Sequence, residues 1–266
     1  MPSKNRKILF LVLSFLLLSG CKIKSCSTPI SPPSSTQNLP TPTPTIITAP
    51  SPSPTKEIID FTCNNNLIAS WRSNPTIYKN FSLNNVILYP ENLGLFFNGK
   101  DSYAIANNTE LSNLLNNLNT FTIEGLITIE STSDNWQTIL SKYEWTNNPN
   151  RSYELILDSN NHLVFAYSPD GTDSNEQMLT SKNEIPLHNK THIAAIYDGK
   201  KLSLFINKQV EGIKPYKPFN SSSPFFQHPY PVTLGANNQG EGQFFHGFIQ
   251  ELRVYSEYRE TFCLTK

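Results

Sequence analysis

The turn Asn98-Gly99-Lys100-Asp101 cuts off an apolar run, Leu93, Leu95, Phe96 and Phe97, and is followed by Tyr103. A carboxylate at the tip of such a turn has two uses. It can cap the backbone N–H groups of its own turn, or it can join a calcium site, which needs six to eight oxygens from carboxylates, carbonyls and water. The stretch SPDGTDSN (168–175) carries Asp170 and Asp173 and leaves the same choice, a second ion site or a solvated hairpin tip. Hydrolytic chemistry is less well supplied. Retaining glycoside hydrolysis needs two carboxylates about 5 Å apart, and no Glu-x-Asp-x-Glu run places them on one strand face. Glu251, Glu257 and Glu260 are spaced six and three apart, which strand alternation does not bring to one side. No Gly-x-Ser-x-Gly elbow frames a serine nucleophile. His188 and His192 are four apart but straddle a strand start, and His192 reads as a structural residue. The sequence predicts a chain that is not an enzyme.

The elements that must carry these residues read as strands. FTIEGLITIE (121–130) alternates, with Phe121, Ile123, Gly125, Ile127 and Ile129 on one face, which predicts a half-buried strand. YELILD (153–158) and HLVFAYS (162–168) flank the turn Ser159-Asn160-Asn161 as a hairpin. THIAAIYDGKKLSLFINKQV (191–210) holds two more strands across Asp198-Gly199. PVTLG (231–235) and GFIQELRVYS (247–256) complete the set. Helical periodicity is confined to LSNLLNNL (111–118), enough for one turn or two. The predicted class is all-β, a two-sheet antiparallel sandwich or jelly roll. Sugar sites in such sandwiches use aromatic faces with a few polar groups. The candidates are Trp136 in STSDNWQT, Trp145 in KYEWTNNPNR and Tyr230 in PFFQHPYP, each of which could equally be a packed loop aromatic.

The chain has 266 residues, 21 basic and 21 acidic, with 16% charged and 11% aromatic. Zero net charge without a basic stripe argues against nucleic acid as a partner. The composition suits an exported, β-rich surface protein. Lys4, Arg6 and Lys7 precede an apolar run from Ile8 to Leu18, broken by Ser14. That run is too short to span a bilayer comfortably and fits a cleaved export signal. Leu18-Ser19-Gly20-Cys21 resembles the bacterial lipobox, in which the cysteine becomes the lipidated first residue. Three acyl chains on Cys21 would anchor the protein permanently. Loss of residues 1–20 leaves 18 basic against 21 acidic residues, so the anchor rather than charge would hold it to a membrane. Lys22 in place of Asp resembles the pattern sent to the outer membrane. Residues 27–57, rich in Thr-Pro and Ser-Pro, favour a polyproline II stalk. Such a stalk could hold the next domain up to roughly 90 Å from the anchor. The expected organisation is signal peptide 1–20, lipidated cysteine and spacer 21–57, and one domain over 58–266. In such a bacterial protein the Asn-x-Ser/Thr triplets at Asn80, Asn107, Asn189 and Asn220 carry no glycosylation meaning.

Cys63 lies at the start of that domain and Cys263 near its end. Terminal strands of a sandwich often run side by side, and an exported chain meets an oxidising compartment. A Cys63–Cys263 disulfide is therefore expected, with two free thiols as the alternative. Cys26 has no evident partner.

Taken in order, FNGKDSYAIANN (97–108), LNTFTIEGLITIE (118–130), QTILSKY (137–143), YELIL (153–157), IPLHNKTHIAAIYDGKKLSLFINKQV (185–210), PVTLGA (231–236) and FHGFIQELRVYSE (245–257) resemble the bacterial LamG-like (laminin G, concanavalin A-like lectin/glucanase) domain. The resemblance spans residues 90–260 and implies a two-sheet antiparallel jelly roll. It also implies a structural Ca2+ between the turn Asn98–Asp101 and the closing strand, with Asp101 matching the family carboxylate. Three positions depart from the pattern. Lys190 stands where the family often has Trp, and Lys208 replaces the Gly of an Asn-Gly turn, leaving Asn207 to take a positive φ. Gln250 replaces the Asp of Ile-Asp-Glu and offers an amide oxygen instead of a charge. The function implied is a lipid-anchored, non-catalytic surface module. Its partner would be a glycan or an envelope or extracellular protein. The alternatives are an envelope protein without a sugar site, and a glycan hydrolase.

Overall fold

The computed structural model describes residues 63, 65–72, 81–89, 94–107, 113, 115, 116, 118–145, 150–216 and 225–264. The chain divides into Met1–Lys56 and Glu57–Lys266, and every described residue lies in the second unit. The expected signal peptide, Cys21, Cys26 and the spacer to residue 57 fall outside the described residues.

Among the described residues fifteen strands follow in chain order. They are β1 (Leu67–Arg72), β2 (Phe81–Asn84), β3 (Ile87–Tyr89), β4 (Gly94–Asn98), β5 (Tyr103–Ala106), β6 (Phe121–Ile129), β7 (Gln137–Tyr143) and β8 (Arg151–Leu157). The rest are β9 (His162–Tyr167), β10 (Gln177–Glu184), β11 (Thr191–Tyr197), β12 (Lys201–Ile206), β13 (Gln209–Pro215), β14 (Thr233–Leu234) and β15 (His246–Tyr255). Sheet A has eight strands, ordered β13-β12-β11-β6-β15-β4-β3, with β1 also paired to β15. Sheet B has seven, ordered β10-β9-β8-β7-β14-β5-β2. The strand pairs are antiparallel, so the architecture is the two-sheet sandwich that the alternation predicted.

The inner faces close on one core. Phe97, Phe121, Ile123, Ile127 and Leu252 from sheet A meet Leu140, Tyr153, Leu155, Phe165 and Leu234 from sheet B. Phe97, not Phe96, is the residue that turns inward. Phe96 lies on the outer face of sheet A with Tyr89, Phe248 and His246. The predicted hairpins form around their own acids. Asp198 Oδ1 accepts the N–H groups of Lys200 and Lys201, and Asp158 Oδ1 accepts those of Asn160 and His162. At 113–116 the described residues form a turn, with the Asn116 N–H donating to Asn113 O.

β6 departs from the half-buried expectation, since all nine of its residues are buried. The segment after β15 runs over its outer face. The Thr122 hydroxyl donates to Glu257 O and accepts from the Arg259 N–H. Glu124, fully buried, accepts the N–H groups of Cys263 and Leu264 and a bond from His192 Nε2 at 2.9 Å. His192 thus sits in a buried hydrogen bond inside sheet A, in the structural role read from the sequence. The same segment carries the Cys63–Cys263 disulfide, with Cα atoms 5.6 Å apart across 200 residues of chain.

Candidate functional site

Asp101 and Gln250 are not brought together. In the turn, Asn98 does the capping: its Oδ1 accepts the N–H groups of Lys100, Asp101 and Ser102. Its amide donates to Asp101 Oδ1, which holds that exposed carboxylate at the end of β4 where Asn98 pairs with His246. Gln250 lies at the other end of the ladder, against Gly94, where an added Cβ would come within 2.5 Å of its Cα. Four residue steps of strand, about 13 Å, separate Gly94 from Asn98. Gln250 is the extra residue of a β-bulge, because Ile249 faces Ile127 and Glu251 faces Leu126. Its amide donates to Thr128 Oγ1, and its Oε1 is buried without a hydrogen-bond partner. One calcium cannot take both residues as ligands in this geometry. The residues do not fit the implied ion. Among the described residues no group of three or more His, Cys, Asp or Glu is placed to hold a metal.

The aromatic candidates behave differently. Trp136 precedes β7 and Trp145 follows it, yet their rings meet edge to face with centroids 6.0 Å apart. They meet by leaning over β7 on the face of sheet B that turns away from the core. On that face Tyr143 packs on Trp145 at 5.3 Å. The Arg151 guanidinium, at the start of β8, lies 5.0 Å from the Trp145 ring and 5.6 Å from that of Tyr143. A bulge at the β7–β8 pairing sets Arg151 opposite Tyr143, so the two side chains share a face.

Arg151 is anchored from several directions. Its Nη1 lies 2.6 Å from both Asp173 Oδ1 and Glu176 Oε2, and its Nη2 donates to Trp145 O. Tyr143 donates its hydroxyl to Glu176. Partial burial lowers the Arg151 pKa, but Tyr143, Glu176 and Asp173 outweigh it and the net shift is upward, so Arg151 stays charged. Burial, then the charges of Glu154 and Glu176, raise the Tyr143 pKa and keep the phenol protonated. Glu154 is fully buried on the same face, with Asn237 Nδ2 donating to its Oε2 and its Oε1 unpartnered. Burial first, then the Glu176 charge, push its pKa well above the usual carboxylate range. The arrangement is a stacked, hydrogen-bonded aromatic platform. Glu176 is tied to Arg151 and Tyr143, Glu154 is buried with its pKa raised, and Asp173 reaches Arg151 from an exposed position.

The loop 168–175 supplies the rim. Asp170 accepts from the Thr172 N–H and hydroxyl, the Ser168 hydroxyl and the Asn175 amide, which bring its pKa below normal against the opposing effect of burial. Its oxygens serve the loop, and Asp173 reaches toward Arg151. Tyr230 stands apart from the two tryptophans. It packs on His228 at 4.5 Å, whose pKa burial and then Lys142 pull down to about 4. Elsewhere, Ser131 Oγ lies 2.6 Å from His246 Nδ1, but among the described residues no hydrogen bond orients Nε2 of that ring. Sequence reasoning missed Tyr143, Arg151, Glu154 and Glu176. The first two stand in or beside the segment quoted for Trp145. The available signal was the strand spacing of Tyr143 and Trp145, two residues apart.

Known structures share the architecture at low identity. A structure of botulinum neurotoxin type C, a toxin that interacts with two ganglioside molecules, superposes with a TM-score of 0.55 at 15% identity, covering 74% of this chain and 49% of the other. The binding domain of botulinum neurotoxin DC in complex with rat synaptotagmin II gives 0.53 at 15% identity, covering 74% and 49%. Trypanosoma rangeli sialidase in complex with sialic acid gives 0.52 at 14% identity, covering 73% and 31%. The chain spans about half or less of these proteins, and the likeness is one of fold. No curated protein sequence matches the chain. The profile of the concanavalin A-like lectin/glucanases superfamily matches residues 98–261, which hold β5 to β15, and the chain belongs to that superfamily.

Proposed function

We propose that this chain is a non-catalytic, lipid-anchored binding module of a bacterial envelope, and that it recognises a glycan on the outer face of sheet B. The observation that carries the reading is the meeting of Trp136 and Trp145, backed by Arg151 and Tyr143. Aromatic faces offer sugars C–H contacts, and a cation stacked behind a ring stiffens it at little entropic cost. The fold neighbours support a glycan or protein partner, since one interacts with gangliosides, one holds sialic acid and one holds synaptotagmin II. Catalysis is disfavoured because Glu154 is fully buried against Asn237 while Glu176 is tied to Arg151 and Tyr143. Cys21 carries the anchor in this reading, and the proline-rich spacer holds the domain off the outer membrane or cell surface.

The test is a glycan and envelope-protein binding screen of the full chain, repeated with Trp145→Ala. Stacking on one ring is worth about 1 kcal/mol, so the variant should lose roughly fivefold or more in affinity. Glycan binding that survives the loss of both tryptophans would move the site elsewhere, and binding to proteins alone would replace the glycan reading. For the anchor, Cys21→Ala should shift the protein from the membrane to the soluble fraction. Retention at the membrane would defeat the lipoprotein assignment.

A further inference from the structure

The charges around the platform set which sugars it accepts. Arg151 is the cation stacked on these rings, and it is not available to a ligand. Its side chain is 7% exposed, its Nη1 is held by Asp173, Glu176 and Tyr143, and its Nη2 is held by Trp145 O. Its Nε is buried as well. A ligand carboxylate would have to displace Glu176, whose side chain is 10% exposed, and leave a buried acid without its counter-charge. What the cluster presents to solvent is the opposite sign. The Asp173 carboxylate is 64% exposed, and Asp170 beside it in the loop is held ionised by four hydrogen bonds.

Resting on the glycan reading above, we propose that the platform takes uncharged sugars and rejects carboxylated ones, and that Asp173 is the residue that discriminates. Two like charges about 6 Å apart near a protein surface repel enough to change an affinity by roughly an order of magnitude. The effect is screened as ionic strength rises. An uncharged pyranose avoids this repulsion and keeps the stacking.

The experiment uses pairs of oligosaccharides that differ only in a carboxyl group or its methyl ester. Suitable pairs are oligogalacturonate with its ester and sialyl-lactose with its ester. Each is titrated into the full chain by calorimetry at low salt. The ester should bind at least about fivefold more tightly than the free acid, and the gap should shrink in 0.5 M sodium chloride. In Asp173→Asn, and in Asp173→Ser as a second variant, the free acid should come within about twofold of the ester. Melting temperatures close to wild type would show that the variants fold. The proposal is overturned if the free acid binds as well as the ester in the wild type, or if neither substitution narrows the gap. If esters and neutral sugars all fail to bind, the glycan reading itself falls and this specificity falls with it. Binding of the acid with rejection of the ester would spare the glycan reading and remove only this inference.

Discussion

Lys208 sits in a conformation its side chain does not favour. The sequence assigned the positive φ of this hairpin to Asn207, but Asn207 has φ 51° and Lys208 has φ 67°. A two-residue turn of this hand needs both central residues left-handed, which is why Asn-Gly is preferred. An L-residue with a Cβ pays about 1 kcal/mol there. Lys208→Gly should therefore raise stability by up to about 1 kcal/mol in denaturant unfolding, less a few tenths for the freer unfolded chain. Glu154 is a costlier residue. Its folded pKa lies above its unfolded value, so the folded state binds the extra proton, and stability is lost as pH rises from the unfolded pKa toward the folded one. Glu154→Gln removes that dependence. The variant should gain on wild type as pH rises from 4 to 8, as read from unfolding curves across pH. A difference that shrinks with rising pH would contradict the raised pKa of Glu154.

Elements were legible where alternation met a hydrophobic interior. β6, β8, β9, β11, β12 and β15 read directly, and the Asp-Gly hairpin was unmistakable. β10 was not read, because QMLTSKNE carries no period-two apolar pattern. It is an edge strand, and most of its residues are half-buried or exposed. β2 and β3 were missed for a related reason: they are four and three residues long and lie at the outer edges of their sheets. The platform was half legible. Trp136 and Trp145 were named singly, but their meeting depends on bulges in β7–β8 that no spacing announces. Glu176 enters the site from the residue just before β10, the least readable strand. The cover over β6 was equally invisible, since alternation describes a strand's faces and not what crosses them. That cover hangs on Glu124, whose two oxygens accept Cys263, Leu264 and His192. Glu124→Gln leaves one of those donors facing an amide, and a loss of about 1–3 kcal/mol is expected. Unchanged stability would show that the segment is held by the disulfide alone.

Across the whole domain, one covalent bond ties the first described residue to the last turn of chain. A loop of 200 residues gives the Cys63–Cys263 disulfide a stabilisation of about 5 kcal/mol in the chain-entropy account. Reduction, or a Cys63→Ser/Cys263→Ser double variant, should lower unfolding stability by several kcal/mol. A variant as stable as wild type would mean that the contacts of the C-terminal segment suffice. The far edges of the sandwich are joined without covalent help. Lys214 Nζ donates to Met178 O, and Asn183 bonds Glu211, which ties β13 of sheet A to β10 of sheet B. The opposite side is formed by β2 and β3, where Leu83, Ile87 and Leu88 are exposed.

The placement of β15 has a consequence for how the protein is made. It lies between β6 and β4 in sheet A and also pairs with β1, so an interior strand of that sheet is, among the described strands, the last in chain order. Until residues 246–255 leave the ribosome, β4 and β6 have no strand between them and β1 has no partner. A nascent chain of this order stays open until its end arrives, and contacts of such long range form slowly. Sheet A therefore closes only once β15 is in place, and the approach of Cys263 to Cys63 that their disulfide needs comes with the segment that follows β15.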